Sequence, residues 1–151
     1  MIQSIPTREE QLKLEALVSS DDRRQLRAGI DLFNSGEFWE AHERWEEIWQ
    51  RETRSTRSFY QGLIQIAAAY HHWTVTHRTK GVQLGIGKGS EKLGWYRPHY
   101  LGVDVATMID DAERMRGRAE GHDTAWLAAF PIAELPRIPL IASVDLSEPP
   151  R

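Results

Sequence analysis

The sequence predicts an all-α protein, a compact bundle of about five helices around a central apolar helix, closed by an extended Pro-rich C-terminal tail. Three observations predict it. Apolar residues recur at the three- and four-residue spacing of a helix face in successive segments. No stretch shows the strict apolar–polar alternation of a half-buried strand. Pro131, Pro136, Pro139, Pro149 and Pro150 bar regular helix near the end, while Phe130, Ile132, Leu135, Ile138, Leu140 and Ile141 between them favour burial. The resulting organisation is an N-terminal arm over residues 1–20, a helical bundle over 21–117 and the tail over 118–151, laid against the bundle.

In the arm, Leu12, Leu14, Leu17 and Val18 suit a short docking helix. Ser19, Ser20, Asp21 and Asp22 then offer side-chain acceptors and negative charge, both favourable at a helix start. The first core helix is expected over residues 22–35, with Leu26, Ile30 and Phe33 on one face. Asn34-Ser35-Gly36 ends it, Gly36 being free to take the left-handed conformation of a helix stop. The second helix is expected over residues 37–50. At about 100° per residue, Phe38, Trp39, Ala41, His42, Trp45, Glu46 and Trp49 fall on one side, with Glu37, Glu40, Glu43, Arg44 and Glu47 mostly opposite.

The third helix, residues 57–77, is apolar nearly all round and so is placed at the centre of the bundle. Gln61, Gln65 and His72 form a narrow polar stripe on it. The fourth, residues 81–95, carries Gly81, Gly85, Gly87, Gly89 and Gly94, each interior glycine costing about 1 kcal/mol against alanine. Gly81, Gly85 and Gly89 recur every four residues, a spacing suited to close helix–helix approach; the run matches no nucleotide-binding loop and follows no strand. Val105, Met108, Ile109, Ala112 and Met115 give the fifth helix, residues 103–116, its buried side.

Composition narrows function by exclusion. A chain of 151 residues fits one domain with a sizeable core, to which six Trp contribute. A net charge of −3 argues against general nucleic-acid binding; Arg51, Arg54 and Arg57 read as a solvated connection. The absence of Cys removes disulfides, thiolate nucleophiles and Cys-type zinc sites. No signal peptide or membrane-spanning run is recognisable, which leaves the cytoplasm as the expected location. No serine stands in a nucleophile elbow, and no residue pattern assigns a reaction.

What stands out is the polar pair His42 and Glu46 on an aromatic face, with Trp49 one turn on. Four residues apart, the two stand one above the other, and burying them needs a partner. A core hydrogen bond completed by Gln61, Gln65 or Tyr60 would serve. So would a divalent metal such as zinc or manganese, with His71, His72 or Glu43 supplying a third ligand. The zinc-protease pattern HExxH fails because Glu46 occupies its second histidine position. Both His42 and Glu46 are expected to be largely buried and to face the third helix.

The segment containing His42, Glu46 and Trp49 forms HxxxExxW and is followed by Gly62, Leu63, Ile64 and Gln65. Together they resemble the bacterial and archaeal family called domain of unknown function 309, over roughly residues 25–95. The resemblance implies a compact helical fold and a motif suggested to bind metal, but no activity. Residues 28–47 also read like one hairpin of a tetratricopeptide-type repeat, in a single copy where a solenoid needs several. The function expected is a non-enzymatic module binding a partner protein or small ligand. The alternative is a metal-binding protein or metal-dependent enzyme. His42, Glu46, Trp49 and Gln65 are the candidate site, and His42, Glu46, His71 and His72 the tentative metal set.

Overall fold

The computed structural model describes residues 5–141, and within them four helices start on a side-chain cap. Thr7 accepts from the Glu10 amide, Ser19 from Asp22, Asp104 from Thr107 and Asp123 from Trp126. Each satisfies a backbone donor that has no partner inside the helix. The helices are α1 (Arg8–Leu17), α2 (Ser20–Asn34), α3 (Phe38–Arg51), α4 (Arg57–His71), α5 (Thr79–Gly94), α6 (Val105–Ala119) and α7 (Thr124–Ala129). A π-helical turn, His72–Thr76, extends α4, and a 3₁₀ turn, Ile132–Glu134, follows α7. The described residues contain isolated β-bridges but no strand, and no helix long and apolar enough to cross a membrane.

α2 and α3 form a hairpin around Gly36, whose φ of +83° is the left-handed conformation expected there. The Gly36 and Glu37 amides bond back to Phe33 and Leu32, closing the end of α2. Across the hairpin the Trp45 indole N–H donates to the Leu26 carbonyl at 3.1 Å. Gly29 leaves the room for that indole, since a Cβ there would overlap it. α4 is the central helix: Phe59, Tyr60, Leu63, Ala67 and Ala69 have no exposed surface. On its other side α5 comes close enough for backbone to meet backbone. A Cβ on Gly62 would lie 3.2 Å from the Gly89 carbonyl, and one on Gly89 2.9 Å from that of Gly62. The four-residue glycine spacing of α5 thus serves helix contact, as expected.

Two boundaries of the predicted organisation differ. The arm holds the expected short helix, α1, and α2 starts at Ser20, the last residue of the predicted arm and two residues ahead of the expected start. The region predicted as wholly extended after residue 117 contains the end of α6, all of α7 and the 3₁₀ turn. Asp123 explains α7, because it caps a proline-free run, Thr124–Ala129, ahead of Pro131. The extended reading holds beyond the 3₁₀ turn. Leu135 and Ile138 are buried, Asn34 accepts from the Ile138 amide at 2.7 Å, and the Ile141 amide donates to Gly102 at 2.9 Å. Pro149 and Pro150 lie outside the described residues. The bundle therefore has seven α-helices among the described residues rather than about five.

Candidate functional site

The orientation of α3 decides what its polar pair can do. Its deepest residues are Ala41, Trp45 and Ile48, all with no exposed surface. The buried direction is therefore centred near Trp45. His42 lies about 60° round from Trp45, Glu46 about 100° and Trp39 about 120°, at 100° per residue. Exposure rises in the same order. The side chain of His42 is 15% exposed and that of Glu46 39%, while Trp39 as a residue is 44% exposed. His42 is thus mostly buried, as expected, but Glu46 is not, which corrects the sequence expectation. Treating the whole aromatic side of α3 as core-facing passed over Ile48, which pulls the buried direction away from Glu46.

His42 Nδ1 lies 3.4 Å from Glu46 Oε2, within ion-pair distance, yet Nδ1 has no hydrogen-bond partner among the described residues. Burial lowers the His42 pKa; Glu46 and Glu43 act the other way, and the nearby His71 adds to the lowering. The imidazole is therefore held neutral at ordinary pH. The Trp39 ring lies flat on it, centroids 4.6 Å apart and planes 8° apart, and the His71 ring sits 4.9 Å from the same indole, tilted by 42°. The end of α4 and the flank of α3 together hold an exposed tryptophan between two imidazoles, beside the Glu46 carboxylate.

The other predicted residues serve different places. Trp49 is half-buried under Arg57, whose guanidinium carbon lies 3.8 Å from the ring centroid and whose Nε donates to the Trp49 carbonyl at 3.0 Å. That contact fastens the end of α3 to the start of α4. Gln65 turns to α5, where its side-chain oxygen accepts from Lys92 at 3.3 Å. Among the described residues the buried Tyr60 hydroxyl has no partner, so neither residue completes a hydrogen bond to His42. His72 also turns to α5: its Nδ1 is 2.7 Å from Thr76 Oγ1, and its ring fills the space above Gly81. The structure thus brings His42, Glu46 and His71 to one flank, while the His72 ring, 6.1 Å from that of His71, turns toward α5. Among the described residues, no group of three or more His, Cys, Asp or Glu is placed to hold a metal ion. A zinc site needs at least three protein ligands, so the donor set here does not fit one.

Sequence reasoning undervalued Trp39, which it assigned to the apolar side. The signal was available. Trp39 and Glu46 are seven residues apart, so whatever exposes the carboxylate exposes the indole as well.

Residues 26–84 match the family model described as Domain of unknown function (DUF309), the family that the motif residues resemble. The match runs from within α2 into α5 and includes Trp39, His42, Glu46 and His71. No curated protein matches the chain.

Proposed function

We propose that the chain is a cytoplasmic, non-enzymatic binding module, whose α3 flank takes up a cationic group, such as a lysine or arginine side chain of a partner protein. The observation that carries this reading is the exposed Trp39 lying flat on His42. A large aromatic already held in place loses little freedom when a partner covers it. Tryptophan is also the side chain most enriched among residues that dominate binding energy. The face of an indole attracts cations, and carboxylates alongside add to the attraction; Glu43 and Glu46 stand one turn and two turns along from Trp39. The neutral His42 imidazole leaves that negative charge uncompensated.

The test is titration with two short peptides, one of alternating Arg and Ser, the other of alternating Glu and Ser, followed by the amide and indole NMR signals. The Arg peptide is expected to shift Trp39, His42 and Glu46, and Trp39→Ala to weaken its binding at least tenfold. Equal responses to both peptides, or no effect of Trp39→Ala, would overturn the reading. Zinc and manganese are titrated separately. A rise in melting temperature that His42→Ala abolishes would replace this reading with a metal-binding one.

A further inference from the structure

A second site lies at the far side of the α4 end. A cleft of about 470 Å³ opens between the π-helical turn and α5, lined by His72, Thr76, His77, Arg78, Thr79, Lys80, Gly81 and Thr124. Four of these side chains are basic or imidazole, three bear hydroxyls and none is a carboxylate. Neither Arg78 nor Lys80 pairs with a carboxylate among the described residues. The nearest acid in sequence, Asp123, is turned away to cap α7, accepting from the Trp126 amide at 3.0 Å. A second cleft, of about 380 Å³, shares Thr79 and Lys80 with the first and is lined further by Gln83, Leu84, Glu120, His122 and Leu127.

We infer that the cleft at the π-helical turn binds a phosphate-type oxyanion, with the adjoining cleft giving room for a small organic group attached to it. Unpaired cations converging with hydroxyl donors on one concavity are the complement of a tetrahedral anion. The like charge already gathered there is felt by His72, whose pKa is lowered first by burial and then by His71 and Arg78. An anion in the cleft relieves that repulsion. The cleft adjoins one flanked by Leu84 and Leu127, where the apolar part of a small organic group would lie. The π-helical turn is what assembles the set. Within it His72 Nδ1 meets Thr76 Oγ1 at 2.7 Å, and it ends on His77 with φ at +55°, beyond which Arg78 and Lys80 line the same opening.

The His72 ring lies 6.1 Å from that of His71, so the test leaves Trp39 and His71 unchanged and reads the cleft through Arg78 and Lys80. The full chain is titrated with inorganic phosphate, glycerol phosphate and glycerol, followed by calorimetry and backbone NMR. Both phosphates are expected to bind, with shifts at residues 76–81, and glycerol not to bind. Arg78→Ala and Lys80→Gln, both at exposed positions, are each expected to weaken binding by three- to tenfold, whereas Lys88→Gln, further along α5, leaves it unchanged. Tighter binding of glycerol phosphate than of inorganic phosphate assigns the site to a phosphomonoester, and equal binding assigns it to the free anion. Absence of phosphate binding, or binding that Arg78→Ala and Lys80→Gln leave intact, would overturn the inference.

Discussion

α3 and α1 are both capped or closed by ordinary local rules, yet they are held to the molecule by opposite means. α3 buries Phe38, Ala41, Trp45 and Ile48. α1 buries only Gln11 along its length and leaves Leu12 half exposed and Leu17 more than half exposed. Polar contacts fasten it instead. Arg8 Nη1 donates to the His99 carbonyl at 2.6 Å, the Gln11 amide to the Trp95 carbonyl, and the Leu101 amide to Glu15 Oε2 at 2.9 Å. From α2, the buried Arg23 guanidinium reaches back to the carbonyls of Glu15 and Val18. The difference teaches that amphipathic patterning reports how a helix is buried only where apolar contact holds it. Where directional bonds hold it, the leucines are no guide to the face that docks.

The contrast is best challenged first at its strongest point. Trp45→Ala removes the largest fully buried side chain of α3 and is expected to cost about 3–5 kcal/mol in chemical denaturation. A loss as small as a surface change would mean that apolar packing does not hold α3. Gly29→Ala approaches the same contact from the other helix, forcing a Cβ into the Trp45 indole, and is expected to cost about 1–3 kcal/mol. For α1 the matching change is Arg23→Met, which keeps length but strands two carbonyls and costs about 1–3 kcal/mol. Its distinguishing mark is faster hydrogen exchange in α1 while α3 amides keep their protection. Uniform loss of protection in both helices would show that α1 is not separately fastened.

Smaller effects sharpen the picture at the α3 flank. Burial lowers the His42 pKa in the folded chain. The unfolded chain therefore binds more protons than the folded one between that lowered value and the ordinary histidine value of about 6.5, and stability falls as pH drops through this window. His72 is lowered in the same direction and contributes to the same slope. His42→Asn should flatten part of the dependence of the denaturation midpoint on pH between about 7 and 5, and an unchanged slope would contradict a neutral, mostly buried imidazole. Smallest is Glu46→Ala, expected to cost less than about 1 kcal/mol because the carboxylate is well exposed and its contact with His42 is not a hydrogen bond. A larger loss would restore the fully buried pair that the sequence suggested.

Much of the fold was legible because burial and local signals agreed. Gly36 marked the α2–α3 turn, the nearly all-apolar run through Phe59, Leu63 and Tyr70 marked the central helix, and the glycine spacing of α5 marked close contact. α7 was missed because prolines dominated the reading of its surroundings, although Asp123 is an ordinary helix cap. At the site, His42 and its neighbour in space, Glu46, were legible from their spacing. The degree of burial was not, because it depends on where α4 touches α3, and a rotation of some tens of degrees separates a sealed carboxylate from an exposed one. Nothing local distinguished His71 from His72. They are adjacent in sequence and point to different sites, since about 100° separates successive side chains on a helix.

The glycine contacts between α4 and α5 have a mechanical consequence. Packed helices usually shift against each other by exchanging side-chain rotamers, which act as the play in the joint. At Gly62 and Gly89 that play is reduced, because each glycine sits close to the other's carbonyl as well as to Leu93 or Ile66, and Gly85 rests against the Gln65 carbonyl and Ala69. The two helices consequently behave as a single beam. The Trp39 flank leans on one end of α4, and the basic cleft is cut where the chain passes from that end into α5. Whatever settles at either place meets a rigid mount, so the adjustment falls to the side chains and short turns around it, and the frame transmits position without bending.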